Sequence, residues 1–137
     1  MKAISLIQPW ATAIMIGNKS VETRSWKTSF VGRVAIHASK GFPKWARDFA
    51  ETERALGRLP GRLPFGAIIG FGTIVSMKET IVVAPLITAI ERLYGDYAPG
   101  RWCWMLSDID PLPDDKIIPC KGKLGLWEVP ADLNLAG

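Results

Sequence analysis

The amino-acid sequence predicts an α+β fold, a small mixed β-barrel with about three short helices inserted between its strands. Three observations carry this. Seven short stretches alternate at period two or run β-branched, as strands do. Three other segments open on proline and close on glycine, the boundary pattern of helices. Gly70 and Gly72 interrupt the longest apolar run, where they supply the bends a small barrel needs to close.

In chain order, AISLIQ (3–8) reads as the first strand, and Pro9 to Gly17 as a helix of about two turns. SVETRSW (20–26) and RVAIHA (33–38) are strands. Pro43 to Gly57 is an amphipathic helix with Trp45, Phe49 and Leu56 toward one face and Arg47, Asp48, Glu51 and Arg54 elsewhere. GRLPGRLPF (57–65) repeats the tetrad G-R-L-P and is a loop, since so short a repeat cannot be a solenoid. GAIIGFGTIVSM (66–77) is the long strand; no helix start follows its G-x-G at phosphate-binding spacing, so the glycines read as bulges. Pro85 to Gly95 is the third helix, with Leu86, Ile90 and Leu93 or Tyr94 inward. RWCWMLS (101–107), DKIIPC (115–120) and GLWEV (125–129) complete the strands. Ser107, Asp108, Asp110, Asp114 and Asp115 make an acidic, solvated loop.

At 137 residues the chain fits one domain, 1–137, large enough to bury a core. It has no run of roughly 20 apolar residues for a membrane span, and Pro9 breaks the only apolar start, so a cytoplasmic protein with no membrane partner is expected. Cys103 and Cys120 make neither a disulfide framework nor a zinc site and read as core thiols. The net charge of +4 is uneven: residues 1–64 hold eleven Lys/Arg against four Asp/Glu, and the remainder holds six against nine. Basic charge gathered in one half suits a polyanion, most simply nucleic acid.

Residues 16–26, IGNKSVETRSW, contain the pattern G-x-K-x-x-E-x-R. Alternation along a strand sends Glu22, Arg24 and Trp26 to one face, with Lys19 in the turn before it. Two readings stand. One is a solvent-facing strand whose ion pair contributes little. The other is a cleft wall, with lysine and arginine for phosphate or carbonyl groups and glutamate for a ring edge. Trp45, Trp102, Trp104 and Trp127 read as core, whereas Trp10 and Trp26 flank the charged segment and are candidates for base stacking. His37, the only histidine, reads as a satisfied strand residue; no partner stands at ligand spacing, so neither metal nor cofactor is expected. Lys40 follows it and places a basic group at the cleft mouth. No nucleophile elbow supports a Ser–His–Asp hydrolase.

Residues 4–41, ISLIQPWATAIMIGNKSVETRSWKTSFVGRVAIHASKG, together with YGDYAPGRWCWML and IIPCKGKLGLWEVP, resemble the ASCH domain family of the PUA-like superfamily of small β-barrels. The resemblance covers nearly the whole chain, with 52–65 as the variable stretch. It implies a cleft lined by the G-x-K-x-x-E-x-R segment and the Q-P-W helix start, so Gln8, Pro9, Trp10, Lys19, Glu22, Arg24, Trp26 and Lys40 are the expected ligand-binding residues. Superfamily relatives bind RNA or modified bases, and ASCH domains are proposed to bind RNA in transcription coactivation and RNA metabolism. Some small members are amidohydrolases acting on N4-acetylcytidine, and ribonuclease activity is attributed to others. Lys19 and Arg24 match the amidohydrolase pattern, but Glu22 stands where those enzymes carry a catalytic threonine.

The expected function is therefore binding of RNA, or of a nucleoside or nucleotide with a modified base, in a basic cleft. The alternative is a small hydrolase, amidohydrolase or ribonuclease, with Lys19 and Glu22 as catalytic acid and base. A third is a protein-interaction module that takes an acidic peptide.

Overall fold

The computed structural model describes residues 1–133 and 135. Its strands are β1 (Lys2–Leu6), β2 (Val21–Arg24), β3 (Gly32–Ala38), β4 (Ala67–Glu79), β5 (Trp102–Pro111), β6 (Ile118–Pro119) and β7 (Leu126–Glu128). Among the described residues they form one sheet in the order β2-β5-β4-β3-β1-β7, with β6 added to β4. β1 and β3 run parallel and the other pairs antiparallel.

The sheet curls into a half-barrel because β4 is bent. Its register with β5 shifts between Phe71 and Thr73 and again between Ile74 and Ser76. Gly72 sits at the first shift, where a Cβ would lie 2.9 Å from Ile109, and Gly70 would meet the Asp110 carbonyl at 2.7 Å. Only glycine admits so close an approach of backbone and neighbour. The curl brings β2, one end of the sheet, round to β1: β7 stops pairing at Ile4, and Arg24 donates from Nη2 to the carbonyl of the next residue, Ser5, at 2.9 Å. Ile4, Leu6, Val34, Ile36, Ile74, Trp104 and Leu106 fill the interior with Ala11 and Ile14 of helix α1 (Trp10–Ile16). That helix ends at Gly17, φ 90, as the sequence requires.

Helix α2 (Lys44–Ala55) lies where expected but turns a different face inward. Ala46, Ala50 and Glu53 are its buried stripe, while Trp45 is 61% and Leu56 58% exposed. Small residues let the helix lie close to its neighbours, and Trp45, one position round, is left at the rim. The two leucines of the G-R-L-P repeat, Leu59 and Leu63, pack on Ala50 and hold the loop down.

The expected third helix, Pro85 to Gly95, is shortened to α4 (Ala89–Leu93); a 3-10 turn (Ala84–Leu86) stands at its start, and a further short helix, α3 (Thr80–Val83), precedes that turn. Thr88 is extended and caps α4, its Oγ1 accepting from Glu91 N–H at 3.2 Å. A hydroxyl at that place competes with continuous helix. Leu86 is consequently 81% exposed instead of inward. The acidic stretch also differs: Ser107, Asp108 and Asp110 belong to β5, and only Asp114 and Asp115 lie in a turn, a 3-10 turn. No helix of the described residues is long and apolar enough to cross a membrane.

Candidate functional site: two clefts sharing Arg24

Two concavities open where β2 meets β1. One, of about 460 Å³, is walled by Trp10, Trp45, Lys19, Glu22, Arg24 and the segment Leu93–Asp96. The other, of about 1030 Å³, is lined by Lys40, Phe65, His37 and the stretch Cys120–Gly125. Ser5, Ile7 and Arg24 belong to both. They are called here the aromatic cleft and the lysine cleft.

The aromatic cleft is built on a buried lysine. Lys19 is 1% exposed, and its ammonium meets the Val21 carbonyl at 2.7 Å, the Tyr94 carbonyl at 2.9 Å and Glu22 Oε1 at 3.2 Å. Three acceptors answer its three N–H groups. The Glu91 carboxylate of α4 holds the turn in place, accepting from the backbone N–H groups of Ser20 and Val21 and from the Ser20 hydroxyl. Glu22, 12% exposed, is clamped from both sides, by Lys19 on Oε1 and by Arg24 on Oε2 at 3.1 Å. Its two oxygens keep lone pairs for a ligand. Arg24 spends Nε on Glu22 and Nη2 on Ser5, lies over the Trp104 ring at 5.5 Å, and has no protein acceptor for Nη1 among the described residues. Asp96 and Arg101 pair with each other across the cleft rim.

The aromatic wall has its own support. Trp10 stacks on Phe49 with centroids 5.2 Å apart and rings 6° from parallel, and Trp45 leans on Trp10 at 5.5 Å. Phe49 meets Tyr94 edge-on, and the Tyr94 hydroxyl donates to Glu53 Oε1 at 2.8 Å. Arg58 grips both Glu53 oxygens, at 2.9 and 2.7 Å. The Arg58 hydrogen bonds hold the Glu53 carboxyl below its ordinary range, against the opposing effect of burial. Burial and the bond to Glu53 push the Tyr94 phenol up, so it stays a donor.

The lysine cleft rests on a hydrogen-bonded relay. Trp127 donates from Nε1 to Ser5 Oγ at 3.1 Å, Ser5 Oγ lies 3.0 Å from His37 Nδ1, and His37 Nε2 lies 2.8 Å from the Cys120 carbonyl. A carbonyl only accepts, so His37 donates to it from Nε2, and the Ser5 hydroxyl, which accepts from Trp127, bridges the indole to Nδ1. Cys120 N–H donates to the Gly66 carbonyl at 3.1 Å, so the loop that follows is fixed at its root. Gly122 lies against the relay: a Cβ there would sit 2.6 Å from both Ser5 Oγ and His37 Cε1. Lys121 and Lys123 flank it. The lining contains Arg24, Lys40, Lys121 and Lys123 and no carboxylate, and these three lysines join no ion pair among the described residues.

The expected site residues thus separate. Trp10, Lys19, Glu22 and Arg24 meet in the aromatic cleft, and Lys40 lies in the lysine cleft. Gln8 and Pro9 line neither. The Gln8 amide is fully buried, donates to Thr12 Oγ1 and the Pro64 carbonyl, and accepts from Thr12 N–H, so it braces the turn that presents Trp10. Trp26 is 39% exposed, packs edge-on against Trp104 and lines neither cleft. Trp45, read as core, is a cleft residue instead. Trp104 and Trp127 are core, and Trp102 is half-buried under the Lys27 ammonium. Both thiols are free, Cys103 buried and Cys120 partly so, and desolvation raises both. Sequence reasoning missed Lys121, Lys123 and Glu91 as site residues. The run K-G-K was a visible signal for the first two, whereas nothing local points to Glu91.

Comparison with known proteins agrees with this fold. The ASCH domain model matches residues 4–103. Activating signal cointegrator 1 from Homo sapiens is 36% identical over 73 residues, a match that covers 49% of this chain and 13% of that protein. The crystal structure of ASCH from Zymomonas mobilis superposes with a TM-score of 0.52 at 20% identity, covering 86% of this chain and 72% of that one. A point variant of the same protein gives a TM-score of 0.52, with 74% of its chain covered. With the family model spanning most of its length, this chain belongs to the ASCH domain family.

Proposed function

We propose that the chain binds single-stranded RNA, or a nucleotide with a modified base, with one base in the aromatic cleft. The observation that carries this is Glu22: a carboxylate held rigid by two cations at the floor of a cleft walled by Trp10 and exposed Trp45. A fixed carboxylate accepts hydrogen bonds from the amino edge of cytosine or the Watson–Crick edge of guanine, and the indoles supply a stacking surface. Family resemblance to RNA- and modified-base-binding barrels supports the same ligand class. Replacing Glu22 by glutamine keeps the shape but puts a donor where the base presents one. Fluorescence anisotropy with single-stranded RNA is expected to show weaker binding for Glu22→Gln; unchanged affinity overturns the role of Glu22. Binding that does not weaken with added salt overturns the RNA reading itself.

The hydrolase reading has less support in this geometry. Lys19 would have to give up one of its three protein acceptors before it took a proton or attacked a carbonyl. Incubation with N4-acetylcytidine is accordingly expected to release no cytidine, and turnover that Lys19→Ala abolishes would reverse that assignment.

A further inference from the structure

We infer that the lysine cleft is a second binding site, one for consecutive phosphate groups, and that Arg24 joins it to the aromatic cleft. The ligand chemistry is shared by two sources, the oligophosphate of a free nucleotide and successive diesters of an RNA strand. For the identity of the ligand this rests on the base-binding reading above; the phosphate site itself does not.

Three features carry it. Four cations, Arg24, Lys40, Lys121 and Lys123, surround one concavity that holds no carboxylate. The charges of the aromatic cleft are all internally paired, but these lysines have no protein counter-ion among the described residues, so an arriving anion displaces only water and salt. The volume, about 1030 Å³, is ample for a chain of phosphates with the attached sugar.

The placement is built rather than incidental. Lys121 and Lys123 reach the cleft wall because Gly122 between them lies directly on Ser5 and His37, which no side chain would permit. Cys120 roots the loop through its N–H on Gly66 and its carbonyl on His37. The only histidine is therefore a positioning residue for two lysines. Arg24 is pinned by Glu22 and Ser5 with Nη1 left over on the wall the clefts share. A phosphate there would be the first of the series, next to a base held by Glu22. Phosphates then follow toward Lys40, Lys121 and Lys123.

The test is calorimetry on the wild type and on a Lys40→Gln, Lys121→Gln, Lys123→Gln variant, with four probes: inorganic pyrophosphate, cytidine, cytidine triphosphate and a cytidine oligoribonucleotide. All three lysines are exposed, and a melting curve checks that the variant folds. The wild type is expected to bind pyrophosphate, and to bind the triphosphate more tightly than cytidine; the variant is expected to lose both effects while keeping its affinity for cytidine. With the oligonucleotide, removing three contacts is expected to flatten the log–log salt slope by about 2. Pyrophosphate and oligonucleotide arms together distinguish the sources. Pyrophosphate binding lost in the variant, without any nucleoside binding, supports the phosphate site and overturns the base reading. An oligonucleotide that binds both proteins with the same salt slope overturns the RNA strand as the source; with pyrophosphate binding lost in the variant it assigns the site to a free nucleotide's oligophosphate, and with pyrophosphate binding kept it overturns the phosphate site. Wild type that binds neither pyrophosphate nor triphosphate more tightly than cytidine overturns the inference outright.

Discussion

In the aromatic cleft every charged side chain has a partner inside the protein: Lys19 and Arg24 on Glu22, and Arg101 on Asp96. Across Arg24, in the lysine cleft, three exposed lysines have none among the described residues. For Lys19 and Glu22, burial explains the difference. An ammonium that is 1% exposed has lost its water, and only hydrogen-bonded acceptors and a counter-charge make its ionised state tolerable. A solvated lysine needs no such partner and stays available for a ligand. The G-x-K-x-x-E-x-R lysine, the most conspicuous charge of the sequence, thus has its three N–H groups met inside the protein, and the unpaired charge lies elsewhere.

The largest effect that tests this contrast is on stability. Glu22→Leu removes the counter-charge of buried Lys19 and is expected to cost about 3–5 kcal/mol in urea unfolding. An effect below about 1 kcal/mol would mean the ion pair behaves as an exposed one, and the contrast between the clefts would fail. Trp45→Ala comes next. Its indole is mostly exposed, so folding stability should hold, while affinity for single-stranded RNA drops by about 1–3 kcal/mol with an unchanged salt slope. Loss of slope with retained affinity would put phosphate, not base, against Trp45.

Acid separates the clefts again. The Glu53 carboxyl behind the aromatic wall is held below its ordinary value by Arg58, so its contribution is present above the unfolded-state value and is lost as pH falls through the lower folded value. Unfolding followed from about pH 6 to about pH 3 should show part of the wild-type acid sensitivity missing in Glu53→Gln, measured against each protein's own stability at neutral pH. Equal acid sensitivity in both would show that Glu53 contributes nothing to it. The smallest effect belongs to the lysine cleft: Lys121→Gln and Lys123→Gln should each leave stability within about 0.5 kcal/mol.

How much of this was legible depended on the range of each interaction. Period-two alternation placed the strands and put Glu22 beside Arg24, because both residues share one strand and one face. Proline and glycine marked α1 and α2 for the same local reason. The third helix starts later than its proline predicts because Thr88 is a cap and not an interior residue, and T-x-x-E, a sequence-level start signal, stands at Thr88–Glu91. Trp45 is expected inward because large apolar residues usually are; the stripe that α2 buries is instead two alanines and a glutamate.

By itself the sequence determined the fold class, the bends at Gly70 and Gly72, and the family, since these follow from local backbone preference and an ordered set of motifs. Tertiary structure alone decided what Lys19 does. Its acceptor on Tyr94 is 75 residues away, and the Glu91 that fixes its turn is 71 residues from Ser20. It also decided that Lys40, Lys121 and Lys123 would line one cleft, because the curled sheet brings distant segments together. Charge is written in the sequence, but burial is a property of the closed fold, and burial settles which charges are used up.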